Sequence, residues 1–304
     1  MYRTLLGDDK FRQGTDLYFD RHDGQAATTD DFMQAMSEAG NVDLSQFERW
    51  YEQAGTPELR VTEDYQDGVL TLAIEQSCPA TPGQEQKAPF HMPVLLGLLD
   101  AAGAEIAISD GQVSSDAQTQ LRDKGRTVLL ELRDKVTQLV ISGLNDKPVV
   151  SFLRQFSAPV KVEYQRPGSE LGFLARYDQD GFVRWDALQT MWVSQFDQRS
   201  GVASSEPQDT LASIAQQALT LNVADEKLLA ASMLTVPSEL YLFEQLRGFD
   251  VDGLLDARDQ AVREAAIENK DLWQELFHKY AAQDGFKVDA DSMANRALAN
   301  IAFS

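Results

Sequence analysis

FERWYEQAGTPELRV, residues 47–61, changes its period half-way along. Phe47, Trp50, Tyr51 and Ala54 recur at i, i+3, i+4 and i+7, one face of a helix. Gly55 then supplies a left-handed stop, and Pro57 forbids continuation. From Glu58 the period is two, with Leu59 and Val61 alternating with charged neighbours. The chain passes here from a helical architecture to a sheet, and the fold can be read outward in both directions.

Toward the N-terminus the sequence predicts helices. Asp8 or Asp9 is expected to cap one that carries Phe11, Tyr18 and Phe19. Thr28 followed by Asp31 signals a second, with Phe32, Ala35, Met36 and Ala39 at helical spacing before Gly40. Asp43 or Ser45 opens a third, and Ser45 with Glu48 has the pattern of a capping box.

Toward the C-terminus the period-two pattern continues. A turn at Gln66-Asp67-Gly68 leads to Leu70, Leu72 and Ile74 on one face. Proline and glycine punctuate residues 79–93, and an apolar run covers Val94–Leu99. Leu129, Leu132, Val136 and Val140 also fit a helix, but β-branching and the Arg133-Asp134-Lys135 interruption favour two strands. Val160, Val162 and Tyr164 alternate with Lys161 and Glu163 as a half-buried strand. Short strands with turns between them predict a small antiparallel sandwich.

After about residue 165 the helical period returns. Its stripes are Trp185, Leu188, Trp192 and Phe196; Leu211, Ile214, Ala215 and Ala218; and Trp273, Leu276, Phe277 and Tyr280. The expectation is an all-α array, a bundle or an α-solenoid, with no repeat regular enough to name. The last stripe, Ala294, Leu298 and Ile301 in DSMANRALANIAFS, has no closing polar helix, so the chain reads as cut from something longer. Three regions are therefore expected: helical 1–57, sandwich 58–164 and helical array 165–304.

Composition bounds the function classes. The net charge of −21 is spread along the chain and repels phosphate backbones and anionic lipid, so neither nucleic acid nor membrane is an expected partner. The longest apolar run, MPVLLGLL, is far short of the ~20 residues of a membrane span. MYRTLLGDDK lacks a signal-peptide core, which predicts a cytoplasmic protein. The single cysteine, Cys78, excludes an intrachain disulfide and reads as a packed thiol.

The search for chemistry finds no constellation. His22, His91 and His278 are scattered, with no His-Glu-x-x-His. His22, in DRHDG, reads as a polar helix end. RYDQDGFVRWDA has Asp178, Asp180 and Gly181 at calcium-loop spacing, but Arg176 and Ala187 occupy the first and twelfth positions. Asp180 reads instead as a helix N-cap, and FDVDG, residues 249–253, as a turn. Gly-x-Gly-x-x-Gly, phosphate-loop and Gly-x-Ser-x-Gly patterns are all missing. No catalytic, cofactor-binding or metal-binding residue is assigned.

LYFDRHDGQAATTDDFMQAM and NVDLSQFERWYEQAGTP resemble the helical end of the thermolysin-like catalytic domain in the bacterial aminopeptidase N family of zinc metallopeptidases. CPATPGQEQKAPFHMPV and QFSAPVKVEY resemble that family's following β-sandwich, and FLARYDQDGFVRWDALQTM its large helical domain. The resemblance implies a parent that removes N-terminal residues from peptides. Its zinc is held by two histidines and a glutamate, with a second glutamate as general base. A Gly-x-Met-Glu-Asn segment holds the substrate amine, and a tyrosine stabilises the oxyanion. All of these would precede residue 1, and none of the motifs occurs here. The chain is then expected to be inert alone, with the sandwich as spacer and the array as wall of the active-site chamber. The alternative is a free-standing helical array that binds a peptide or protein.

Overall fold

A computed structural model describes residues 1–197, 206–246, 248–281 and 286–303. The chain divides into two compact units, Met1–Gln165 and Arg166–Ser304.

The first unit opens with α1 (Tyr2–Leu6), α2 (Asp8–His22) and α3 (Thr29–Gly40). Asp8 and Asp9 lie in the first turn of α2, where they complement the helix dipole, and Gly7 takes the cap position with φ of 77°. Thr28 caps α3 as expected. Its Oγ1 accepts from the Asp31 N–H at 3.3 Å while Asp31 accepts from the Thr28 N–H at 2.8 Å. Asn41, left-handed with φ of 52°, ends the helix one residue after Gly40. Gly14 lets α2 and α3 approach, since a Cβ there would stand 2.6 Å from the Met36 sulfur. Phe19, which the sequence places on the buried stripe of α2, is exposed.

The third helical segment departs from its expected form. Residues Ser45–Glu48 make a 3-10 turn that runs into a single α turn, α4 (Arg49–Glu52). The Ser45–Glu48 capping box does not form, because the Ser45 N–H is taken by the Asp43 carboxylate at 2.9 Å. Three residues per turn brings Phe47 and Trp50 onto one side and rotates the next residues away. Phe47 is buried and Trp50 packs beside it, but Tyr51 is 46% exposed and Ala54 lies beyond the helix. Gly55 has the expected positive φ, at 99°.

The sandwich follows. β1 (Glu58–Gln66) and β2 (Val69–Ser77) form a hairpin across Asp67-Gly68, both at positive φ, as a two-residue turn of matching twist requires. Leu59, Val61, Leu70, Leu72 and Ile74 are all buried. One sheet has the order β4 (Val113–Ser115), β7 (Val136–Ile141), β2, β1, β9 (Lys161–Tyr164). The other runs β5 (Gln118–Arg122), β6 (Thr127–Leu132), β3 (Met92–Leu99), β8 (Val149–Phe152). MPVLLGLL is β3, buried along its whole length between β6 and β8. Each Leu, Ile or Val sealed between the sheets contributes roughly 1.5–3 kcal/mol.

Residues 127–141 are two strands, as β-branching argued, and the Arg133-Asp134-Lys135 break carries the chain from one sheet to the other. The strands pair antiparallel with one exception among those described: β9 enters beside β1 in parallel. It arrives from β8 in the opposite sheet, and the Lys161 N–H bonds the Pro57 carbonyl at 3.0 Å.

The second unit is an array of helices: α5 (Gly168–Tyr177), α6 (Gly181–Phe196), α7 (Glu206–Ala218), α8 (Ala224–Met233), α9 (Glu239–Gln245), α10 (Val251–Glu268), α11 (Lys270–Tyr280) and α12 (Ala290–Phe303). Asp180 caps α6, accepting from the Val183 N–H at 3.0 Å. FDVDG is not a free turn. Asp250 accepts from the Gly253 N–H at 3.1 Å and starts the eighteen-residue α10. Leu188, Trp192 and Phe196, the α7 stripe, Leu276 and Tyr280, and Ala294 and Leu298 are buried. Ser304, the last residue of the final stripe's segment, lies outside the described residues.

Candidate functional site

The helical segment docks on the sandwich through the proline-rich crossing. The Trp50 indole N–H donates to the His91 carbonyl at 2.8 Å. Gln46 Nε2 donates to the carbonyls of Pro89 and Arg133, at 3.0 and 2.6 Å, and Arg49 also donates to Pro89. Gln53 spans both backbone groups of Ala88, at 3.0 and 2.7 Å. Prolines break the ladder between β2 and β3, leaving carbonyls free of sheet partners, and the helix side chains take them up. The opening stretch is therefore a structural clasp.

His91 is the most enclosed titratable group of that clasp, 1% exposed. Its Nε2 lies 3.0 Å from Glu131, and its ring meets the Phe47 ring edge-on at 6.1 Å. Burial pushes the Glu131 carboxyl up, but the His91 hydrogen bond and the Arg133 charge outweigh it and hold it below its ordinary value. The sequence gave no sign of this pair, whose members are forty residues apart and are joined by the β3–β6 register.

The other singled-out residues stay separate. His22 ends α2, beside the Tyr18 ring at 5.5 Å. Cys78 is half-buried with Sγ 3.7 Å from the Ala54 carbonyl, and burial pushes its thiol up, away from the reactive thiolate. Asp178 accepts from the Asp180 N–H at 2.8 Å, so this pair builds a loop and a helix start. On α6, burial pushes Asp186 up to about 6, with Arg166 pulling the other way, and Tyr241 is pushed up to about 12 by burial and the Asp186 charge. Asp186 was not legible as a perturbed acid, because only packing takes it from water.

Zinc, which the resemblance assigns to the family's catalytic centre, finds no donor set here. Among the described residues no three His, Cys, Asp or Glu side chains are grouped to hold a metal ion. His91, the buried candidate, already spends Nε2 on Glu131. No reaction step is placed on these residues.

The helical unit holds one further concave feature. α7, α10, α11, α12 and the turn after α8 enclose a groove of about 700 Å3, whose lining includes His278. Among the described residues no helix is long and apolar enough to cross a membrane.

Residues 55–165 match the family model described as "Domain of unknown function (DUF3458) Ig-like fold". Residues 168–304 match the one described as "Domain of unknown function (DUF3458_C) ARM repeats". The chain is 36% identical to aminopeptidase N of Escherichia coli over 309 residues, covering 99% of this chain and 34% of that protein. It is 34% identical to aminopeptidase N of Caulobacter vibrioides over 302 residues, covering 99% and 33%. The crystal structure of Legionella pneumophila aminopeptidase A in complex with aspartic acid superposes with a TM-score of 0.79 at 24% identity, covering 99% of this chain and 34% of that one, a likeness of fold. The chain thus spans about a third of the length of the curated relatives it matches. With a sandwich and a helical array in the order of the two matched domains, and with relatives aligned along nearly all of its residues, the chain belongs to the aminopeptidase N family.

Proposed function

We propose that this chain is a non-catalytic part of a zinc-dependent aminopeptidase that removes N-terminal amino acids from peptides. The sandwich acts as a spacer, and the helical array walls the chamber in which peptides are cleaved. The carrying observation is the alignment along 99% of the chain with aminopeptidase N, over a stretch with no grouped metal donors among the described residues. The partners in this reading are peptides that reach the parent's reaction centre. The acidic surface disfavours nucleic acid and anionic membrane as partners.

Hydrolysis of this kind needs a metal-activated water, a general base and donors for the oxyanion. A chain that supplies structure alone is inert in isolation. To test this, the purified chain is incubated with zinc and an aminoacyl reporter substrate. Release at the no-protein rate is expected, and zinc-dependent turnover that a chelator abolishes would overturn the reading.

A further inference from the structure

The groove of the helical unit has the form of a seat for another helix. Arg258, Val262, Ala265 and Ala266 line it from α10 at helical spacing. Lys270, Trp273, Gln274, Phe277 and His278 line it from α11 in the same way. These are two ridges with a trough between them, the relief into which a third helix packs. Ala265 and Ala266 keep one wall low, and the Trp273 indole N–H is already satisfied by the Ala265 carbonyl at 3.0 Å. The trough is mainly apolar, and Phe303 stands at its edge, 81% exposed.

Its charge is the reverse of the chain's. The molecule carries 48 acidic against 27 basic residues, yet the sixteen residues lining the groove include Arg258, Lys270 and His278 and no carboxylate. Arg258 is held in place, its Nε donating to the Pro237 carbonyl at 2.9 Å, with Asp259 at 3.5 Å but outside the lining. Two cationic side chains and a ring N–H therefore edge an apolar trough on an acidic protein. Anionic flanks on an occupant are attracted there and repelled over most of the remaining surface.

We propose that this groove docks an amphipathic helix of a polypeptide partner whose apolar stripe is flanked by carboxylates. Apolar residues at i, i+3, i+4 and i+7 of that helix fill the trough, and its acids meet Arg258 and Lys270 on the rim. The proposal is independent of the peptidase reading, since a chain inert toward reporter substrates can still bind the helix.

The test uses the full chain and a synthetic eighteen-residue helix with a leucine stripe flanked by glutamates, dye-labelled for anisotropy. Its counterpart has lysines in place of the glutamates. The glutamate helix is expected to bind at least about tenfold tighter than the lysine helix, and Lys270→Glu to lower its affinity by about tenfold while raising that of the lysine helix. Ala266→Arg, at an exposed lining position, is expected to abolish binding of both, and circular dichroism confirms that each variant is folded. Equal affinity for the two peptides, or insensitivity to both substitutions, overturns the proposal. So does dodecanoate occupying the groove while the glutamate helix does not, or self-association of the chain that Ala266→Arg abolishes.

Discussion

Asp186 and Glu131 are carboxylates on which burial and partners decide differently. Burial raises Asp186 from its ordinary 3.8 to about 6, so between those values the folded state holds a proton that the unfolded chain has lost. Stability therefore falls as pH rises through that window, and above it the buried charge costs up to about 3 kcal/mol. Asp186→Asn is expected to raise the urea midpoint at pH 7–8 and to leave it unchanged below pH 3.8, where both states are protonated. Glu131 has the opposite sign. Its folded value is depressed, so its contribution is present above its ordinary 4.5 and is lost as pH falls through the folded value. Glu131→Gln is expected to lower the urea midpoint at pH 7, with the loss shrinking toward acid. Neither residue stood out in the sequence. Leu70, Leu72 and Ile74 did, because alternation is a local signal, whereas the His91–Glu131 pair exists only once β3 and β6 are in register.

Caps and turns sort the elements in the same way. Thr28 and Asp180 were legible as helix starts because each acts within three residues along the chain. Thr28→Ala is expected to cost about 1 kcal/mol in denaturant unfolding. Ser45 misled because Asp43 competes for its N–H, turning the expected α-helix into a 3-10 turn and exposing Tyr51. Asp250 was hidden by Gly253 and a second aspartate in the first turn, which mimic a loop. The β1–β2 hairpin reads directly from Asp67-Gly68, and its glycine is doubly fixed. Gly68 has φ of 79°, and a Cβ there would come 2.7 Å from the Leu144 carbonyl oxygen. Gly68→Ala is expected to destabilise by about 1–3 kcal/mol, more than Thr28→Ala in the same assay. The parallel β1–β9 pair was not legible, because strand direction at a sheet edge depends on the path from the other sheet.

Over the whole molecule, the change of period at residues 47–61 marked the hand-over from helices to sandwich, and those helices fold in one unit with the strands. The clasp explains why: Gln46, Arg49, Trp50 and Gln53 satisfy carbonyls that the proline-rich crossing leaves unpaired. The groove on the helical unit was not legible, since each ridge taken alone reads as an ordinary amphipathic stripe. The central claim is that the chain contributes architecture to an aminopeptidase without holding its metal. Equilibrium dialysis of the full chain against about 1 μM free zinc, with metal counted per chain, tests it most directly, because catalytic zinc sites combine three protein ligands. The account predicts far less than one zinc per chain, removed by brief dialysis. One zinc retained per chain, and lost on replacing His91 or His278, would contradict it.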